Sequence, residues 1–348
     1  MDQKSNSFQI IEADFSMSES WDKFVHAHPN ARLAHSYNWK PVIEKAFGHR
    51  CIYLAAMQSD KVLGVLPLTY MNSILFGSFL ISVPYLNYGG ILAYSEKVAQ
   101  ALLKKAIILA KKFRTEFIEF RHLDVLELQL KNKAHKVTLF LELPDTAETL
   151  WKKVGPKVRN QIRKAQKLGL VSKMGRQDLL DDFYDIFAKN MKRLGTPVYP
   201  KRFFRFILDY FDSAQIFTVY SENQPLAAGF TIAFRGQMEI PWASSIKKFN
   251  PTNANMLLYW SILEFSCQNG IKIFDFGRCS PGSGTYRFKK QWGGVTVPLN
   301  WQYWLSDEKD LPDISPNNKR YETVIRIWKT LPLPVTKWMG PLVIRYIP

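Results

Sequence analysis

The chain has 348 residues, is 47% hydrophobic and 14% aromatic, and carries a formal net charge of +17. That composition excludes a disordered chain, and the length exceeds one small core, so two domains are expected. The positive excess points to an anionic partner: nucleic acid, a phosphorylated substrate or an acidic membrane surface.

Residues 1–16 are polar and partly acidic and read as no signal peptide. "CIYLAAM" at 51–57 and "KVLGVLPLTYM" at 61–71 read as a hairpin. The apolar run 73–94 has the length of a membrane span. Gly77, Pro84 and the pair Gly89-Gly90 interrupt it, and Val, Ile, Phe and Tyr dominate, so buried strands are expected. A helix over 95–113 and a short strand over 116–123 complete the unit. The cysteines Cys51, Cys267 and Cys279 form no C-x-x-C pair, which argues for a reducing, cytoplasmic setting and against a disulfide framework.

The middle of the chain is strongly basic. Residues 151–176 hold nine Lys or Arg and no Asp or Glu. Asp145 or Thr146 is positioned to cap a first helix, and a second is expected from about 157 to 168, ending at Gly169. On it Val158, Ile162 and Ala165 make an apolar stripe, and Arg159, Arg163 and Lys167 a basic one at i, i+4, i+8. Like charges at that spacing repel by a few tenths of a kcal/mol per pair. Two explanations stand: a solvated face, or an anion seated over the row.

Residues 178–211 read as two helices around the loop "RLGTPVYP". The second half then repeats the order of the first: a hairpin at 215–222 and 224–234 around Asn223, a strand at 237–246, a helix at 253–270 and a strand at 271–277. The expected division is a first domain over 1–144, a helical connector over 145–170, a second domain over 171–306 and a tail over 307–348. In the tail, 324–348 mixes Trp328, Trp338 and Tyr346 with Arg326, Lys329, Lys337 and Arg345 and has no acid. That mixture suits an interfacial membrane contact as well as packing on the protein itself.

No Walker, dinucleotide-binding, zinc-protease or nucleophile-elbow motif is present. His26, His28 and His35 lack acidic or Cys partners at ligand spacing, so no metal site is assigned. Cys279 has no neighbouring His and reads as an incidental thiol. The main candidate is "FDFGRCSPGSGTYRFKKQWGG", 274–294. Asp275 ends a strand and Arg278 stands at its mouth. Gly282 and Gly284 let a ligand approach, and Tyr286, Arg287, Lys289 and Lys290 follow on a short helix. Such basic tips hold phosphate or carboxylate and stabilise an oxyanion. Asp275, Glu239 or a tyrosine is then available to relay the proton of an attacking amine. The second candidate is 242–256, with Trp242, Lys247 and Lys248, at the start of the long helix; Thr252 or Asn253 would cap it. Tyr85, Asn87 and Tyr88 are candidates in the first half.

"VRNQIRKAQKLGL", the later "FDFGRCSPGSGTYRFKKQWGG", "LNWQYWL" and the ending "WKTLPLPVTKWMGPLVIRYIP" together resemble the FemAB-like branch of the GNAT acyltransferase superfamily. Within it the chain is similar to the FemAB-related proteins of PEP-CTERM/exosortase and exopolysaccharide systems. The resemblance spans nearly the whole chain. It implies an α/β (α+β) fold of two tandem GNAT-like domains, each a mixed, largely antiparallel sheet with flanking helices. It implies acyl or aminoacyl transfer to an amine of a phosphate-bearing glycan, peptidoglycan or lipid-linked precursor. The lysine of the F-K string, here Lys289 or Lys290, would then serve the transition state, and Arg159 and Arg163 the phosphates. The chain departs from the acetyl-CoA pattern, because "KKFNPTNANM" lacks the pyrophosphate-cradling glycines. The donor is left between aminoacyl-tRNA and an acyl thioester, with no tightly bound cofactor. A noncatalytic binder of RNA or anionic membrane is the alternative.

Overall fold

The computed structural model describes residues 7–73, 76–307, 311 and 322–347. The chain divides into two compact units, one made of 1–134, 299–313 and 346–348, the other of 135–298 and 314–345. The expected divide after 144 therefore falls at 134, and the chain recrosses at 298.

The first unit runs β1 (Gln9–Glu12), α1 (Ser18–Ala27), α2 (Trp39–Phe47), β2 (Arg50–Gln58), β3 (Lys61–Ser73), β4 (Gly77–Ile81), β5 (Leu92–Ala93), α3 (Glu96–Lys112) and β6 (Phe117–His122). β1 to β4 form an antiparallel meander, with β5 pairing β3, and β4 lies parallel to β6 with Leu80 opposite Ile118. β6 takes a further antiparallel partner from the far end of the chain, residues 300–305. The sheet is covered on both faces, which is why Cys51–Met57 is buried at every position. On one face Val98, Ala99, Leu102, Leu103, Ala106 and Ala110 of α3 recur at helical spacing and meet Leu54, Leu66, Leu68 and Phe120. Ser95 caps that helix by accepting from the Val98 N–H. On the other face Trp21 of α1 stacks on Tyr53 with ring centroids 5.0 Å apart.

The second unit opens with β7 (Lys131–Glu142), which belongs to it from His135 on, then α4 (Ala147–Lys153), α5 (Pro156–Lys167), β8 (Val171–Gly175), α6 (Leu180–Leu194) and α7 (Lys201–Tyr210). There follow β9 (Ala214–Ser221), β10 (Gln224–Phe234), β11 (Gln237–Ser245), α8 (Ala254–Gln268), β12 (Ile273–Asp275), α9 (Gly284–Lys290), β13 (Val295–Leu305), which belongs to this unit only up to Pro298, α10 (Glu322–Thr330) and α11 (Leu333–Ile344). β8 to β11 form the meander, β11 lies parallel to β12, and β7 pairs antiparallel to β12. The expected strand over 271–277 is thus three residues long. Val158, Ile162 and Ala165 of α5 pack with Leu258, Ile262 and Leu263 of α8 in one core. The opposite face is aromatic: Phe183, Phe204, Phe230 and Trp242 meet edge to face or tilted at 4.9–5.7 Å.

The duplication read from the sequence is present: in each unit a meander, a helix and a strand parallel to the meander's last follow in the same order. The expected second-half hairpin turns at Asn223, between β9 and β10. The tail over 307–348 is not a separate body, because 314–345 belongs to the second unit. There α6 ends at Gly195 (φ +80°), where a Cβ would lie 2.5 Å from Ile325 of α10. Lys337 of α11 pairs with Asp185 at 2.5 Å.

Candidate active site

In the second unit a cavity of about 240 Å³ lies at the N-terminal end of α8. α5 contributes Gln161, α9 contributes Phe288, and Gln291 follows at its C-terminal end. The end of β11 and the following turn contribute Ser245, Ile246, Phe249 and Asn250, and Asn253 to Met256 begin the helix. The basic connector and the late glycine–lysine segment therefore share one hollow, though their polar amides and an aromatic ring line it rather than their cations. Asn253 adopts a left-handed conformation (φ +60°) and makes no side-chain cap; the Thr252 hydroxyl accepts from the Ala254 N–H at 3.4 Å. The Oε1 of Gln161 is buried without a partner among the described residues. A side-chain acceptor and a helix N-terminus at one hollow suit a ligand with both donors and acceptors. Gln161 and Gln291 had no signal in the sequence, since each sits among lysines and arginines that dominate its stretch.

Beside this hollow the F-K string divides its two lysines. Lys289 is 5% exposed, while Lys290 is exposed. The α9 start is fixed by Ser283, whose hydroxyl accepts from the Tyr286 N–H. Helical spacing then turns Lys289 inward, where its Nζ donates to the carbonyls of Gly277 at 2.7 Å and Arg278 at 3.1 Å. Lys290 donates to the Gly294 carbonyl at 3.2 Å. Burial pulls the Lys289 ammonium down to about 8, Arg278 adds to that, and Cys279 and Asp275 oppose it. The Cys279 thiol is pushed up by burial, which leaves it unreactive.

Asp275 is fully buried; its carboxylate accepts from the Thr138 hydroxyl at 2.6 Å and the Gly277 N–H at 2.8 Å. It holds the turn that carries Lys289's acceptors, so a position open to an attacking amine is not what the fold gives it. Arg287 donates to the Gly282 carbonyl and Tyr286 bonds the Thr296 hydroxyl. Gly282 needs its left-handed φ of +72°; at Gly284 a Cβ would meet nothing. Arg278 is half-buried.

The basic stripe of α5 has a structural explanation. Arg159 donates to the carbonyls of Trp151, Lys152 and Val154 at 3.2, 3.2 and 2.8 Å, closing the C-terminal end of α4. Arg163 lies over the Trp151 ring, 5.4 Å from its centroid. Lys167 is exposed. The expectation that an anion compensates this row is corrected for Arg159, whose donors serve the preceding helix.

Trp242 is also corrected: it is 6% exposed and packed among Phe203, Phe204 and Phe230, on the sheet face away from α8. Lys247 and Lys248 are exposed on the turn before α8. Tyr85, Asn87 and Tyr88 belong to the first unit. Tyr85 bonds His49 at 2.9 Å and Tyr88 is 1% exposed. Asn87 is half-buried.

Residues 152–290 match the family model described as "Acetyltransferase (GNAT) domain". A search of curated proteins finds no match to the sequence. Among solved structures, FemX is similar with a TM-score of 0.65 at 16% identity, covering 85% of this chain and 97% of FemX. L-PGS from Bacillus licheniformis is similar at 0.57 and 13% identity, over 97% and 98% of the two chains. A tandem GNAT protein from the clavulanic acid biosynthesis pathway is similar at 0.56 and 9% identity, over 87% and 100%. The meander–helix–strand order of both units, shared with these chains, is the tandem GNAT arrangement. Residues 152–290 are thus similar to a GNAT acetyltransferase domain, which supports acyl transfer as the chemistry of this part of the chain.

Proposed function

We propose that the chain transfers an acyl or aminoacyl group to an amine of a phosphate-bearing glycan or lipid-linked precursor, of the exopolysaccharide or peptidoglycan kind. The carrying observation is the hollow that α5, α9 and the start of α8 share, lined by GNAT-matched residues and the adjoining Gln291. The donor, an aminoacyl-tRNA ester or an acyl thioester, would seat its carbonyl there. The acceptor nitrogen attacks that carbon; a C–N bond forms and the C–O or C–S bond of the donor breaks. The amine gives up a proton to solvent, and the leaving oxygen or sulfur departs with one. Lys289, which does not itself line the hollow, has three N–H groups and spends two on carbonyls; the third would serve the oxyanion. Lys290, Arg278 and Arg287, with the exposed Lys167, Lys247 and Lys248, would draw the anionic substrate by long-range attraction rather than by fitted contacts.

Contact with an acidic membrane, the inner one in a cell of two membranes, fits the same reading. α10 and α11 expose Val324, Ile327, Trp338 and Leu342 beside Arg326 and Lys329. No helix among the described residues is long and apolar enough to cross a bilayer. A lone RNA or membrane binder would bind with strong salt dependence and no turnover.

The test incubates the protein with labelled aminoacyl-tRNA or acyl-CoA and a nucleotide-linked amino sugar, and measures label on the amine. Lys289→Ala is expected to lower turnover on the order of 10²–10³-fold and Lys290→Ala only slightly. Full activity in Lys289→Ala would remove the proposed role.

A further inference from the structure

The first unit has a cavity of its own, about 350 Å³, within the range of small-molecule sites. The connection between α1 and α2, the approach to α3 and the residues after β6 line it. His35 is the group that its surroundings do not explain. It is 3% exposed, and its Nδ1 accepts the Arg32 backbone N–H at 3.0 Å. With Nδ1 an acceptor, the neutral ring carries its proton on Nε2. Burial above all, against the Arg32 hydrogen bond and with nearby His122, Arg32 and His28, holds this imidazole down to about 3, so it is neutral at pH 7.

The Nε2–H has no partner among the described residues. A buried donor left unpaired costs about 1–3 kcal/mol. The ring cannot readily turn away, because its turn is pinned twice: the Trp21 indole donates to the His35 carbonyl at 2.7 Å and the Trp39 indole to Leu33 at 3.0 Å. Nor is His122 its partner. That ring lines the same cavity, accepts from the Ile91 N–H at 2.9 Å and meets Gln302 Oε1 at 2.8 Å, so both its nitrogens are engaged. The imidazoles are therefore no ligand set, and among the described residues no group of three His, Cys, Asp or Glu is suited to a metal ion.

The mouth has the opposite sign to the chain as a whole. Glu96, Asp124 and Glu127 line the cavity and are exposed, against the single guanidinium of Arg32. Three carboxylates disfavour a phosphate and favour an ammonium. A ligand satisfying both ends carries an oxygen acceptor inside and a positive nitrogen outside.

We propose that the first unit binds a small primary amine with a neighbouring carbonyl or hydroxyl oxygen, an amino sugar or an amino-acid amide, whose oxygen accepts from His35 Nε2 and whose ammonium lies among Glu96, Asp124 and Glu127. This site goes beyond the transfer chemistry proposed for the second unit and does not depend on it.

Calorimetric titration of the full chain tests it, with D-glucosamine and glycinamide as probes and their N-acetylated forms as controls. Saturable binding of at least one amine is expected, weaker by about tenfold or more after N-acetylation, which removes the charge (about 1.4 kcal/mol). Glucosamine alone binding identifies the amino-sugar class, glycinamide alone the amide class. His35→Leu is expected to weaken the same probe about tenfold, and His35→Gln, which keeps a donor, less. The exposed double variant E96Q/D124N, which leaves the core untouched, is expected to weaken it similarly and to flatten its salt dependence. Lys289→Ala leaves this binding unchanged, which separates its failure from that of the transfer reading. Absence of saturable binding by both amines at millimolar concentration overturns the proposal. So does equal binding of amine and N-acetyl forms, or binding that E96Q/D124N leaves as it was.

Discussion

Lys289 shows how one residue's surroundings set two opposing energies. Keeping the ammonium charged while buried costs roughly 3 kcal/mol at 1.36 kcal/mol per tenfold change in proton affinity. Its two hydrogen bonds to carbonyls, each about 1.5–3 kcal/mol for a charged donor, offset that. Lys289→Met removes both, so thermal unfolding is expected within a few degrees of the parent while turnover falls at least a hundredfold. A large loss of stability would mean that the lysine serves mainly as a strap. The folded-state value, about 8, lies below the ordinary 10.5. The unfolded chain thus holds more protons between these values, and stability rises with pH across that window. Activity has the opposite sign: an oxyanion needs the ammonium, so turnover falls as pH rises through about 8, and a pH–rate profile that climbs there would contradict the role. Arg159 presents a different case. Its three bonds close α4, so Arg159→Ala is expected to lower stability by about 1–3 kcal/mol, read from denaturant midpoints, with little change in KM.

Among elements, the start of α8 carries the functional weight. Its preceding turn ends in left-handed Asn253, and the hollow opens at the first turn of the helix. Met256 lines that hollow at the helix's first turn. Met256→Trp adds bulk into about 240 Å³ and is expected to raise the KM for the acyl donor tenfold or more while kcat for bound donor changes less. Unchanged KM would place the donor elsewhere. The helices α5 and α8 were legible because their apolar residues recur at three and four; Val158, Ile162 and Ala165 are the buried ones on α5. Strand β12 was over-read as seven residues because apolar residues alternate with Lys272 and recur through Phe276, whereas only Ile273–Asp275 meets neighbours on both sides. The N-terminal helices α1 and α2 and strands β7, β8 and β13 went unread, since their mixed patterns settle neither period.

For the molecule as a whole, the repeat was visible but its closure was not. Each unit's last repeat strand, β6 or β12, takes its outer antiparallel partner from sequence beyond the repeat, residues 300–305 in one case and 140–142 in the other. Such pairings join residues far apart in sequence, which local pattern does not encode. The tail packs on the second unit through Trp328, Thr336, Gly340 and Ile344 and still exposes Trp338 at 72% and Leu342 at 56%. The tail therefore packs on the protein itself, one of the two alternatives read from its composition, and leaves an apolar, basic face exposed. Vesicles containing phosphatidylglycerol are expected to bind the chain more tightly than phosphatidylcholine vesicles. Trp338→Ser with Leu342→Ser is expected to weaken that binding at least tenfold, since each buried side chain contributes about 1.5–3 kcal/mol. Equal sedimentation of parent and variant with vesicles would assign the attraction to charge alone.

The sequence by itself determined the fold class, the duplication, the helices α3 to α9 and the segment around Lys289, because hydrophobic period, glycine breaks and a dense basic–aromatic string are local signals. The tertiary structure decided which cation is buried, which arginine closes a helix, and which amides line the hollow. Those outcomes depend on side chains brought together from distant segments: Gln161 beside Gln291, His35 beside His122. Desolvation and hydrogen bonding act only once that packing exists, so no reading along the chain alone could assign them.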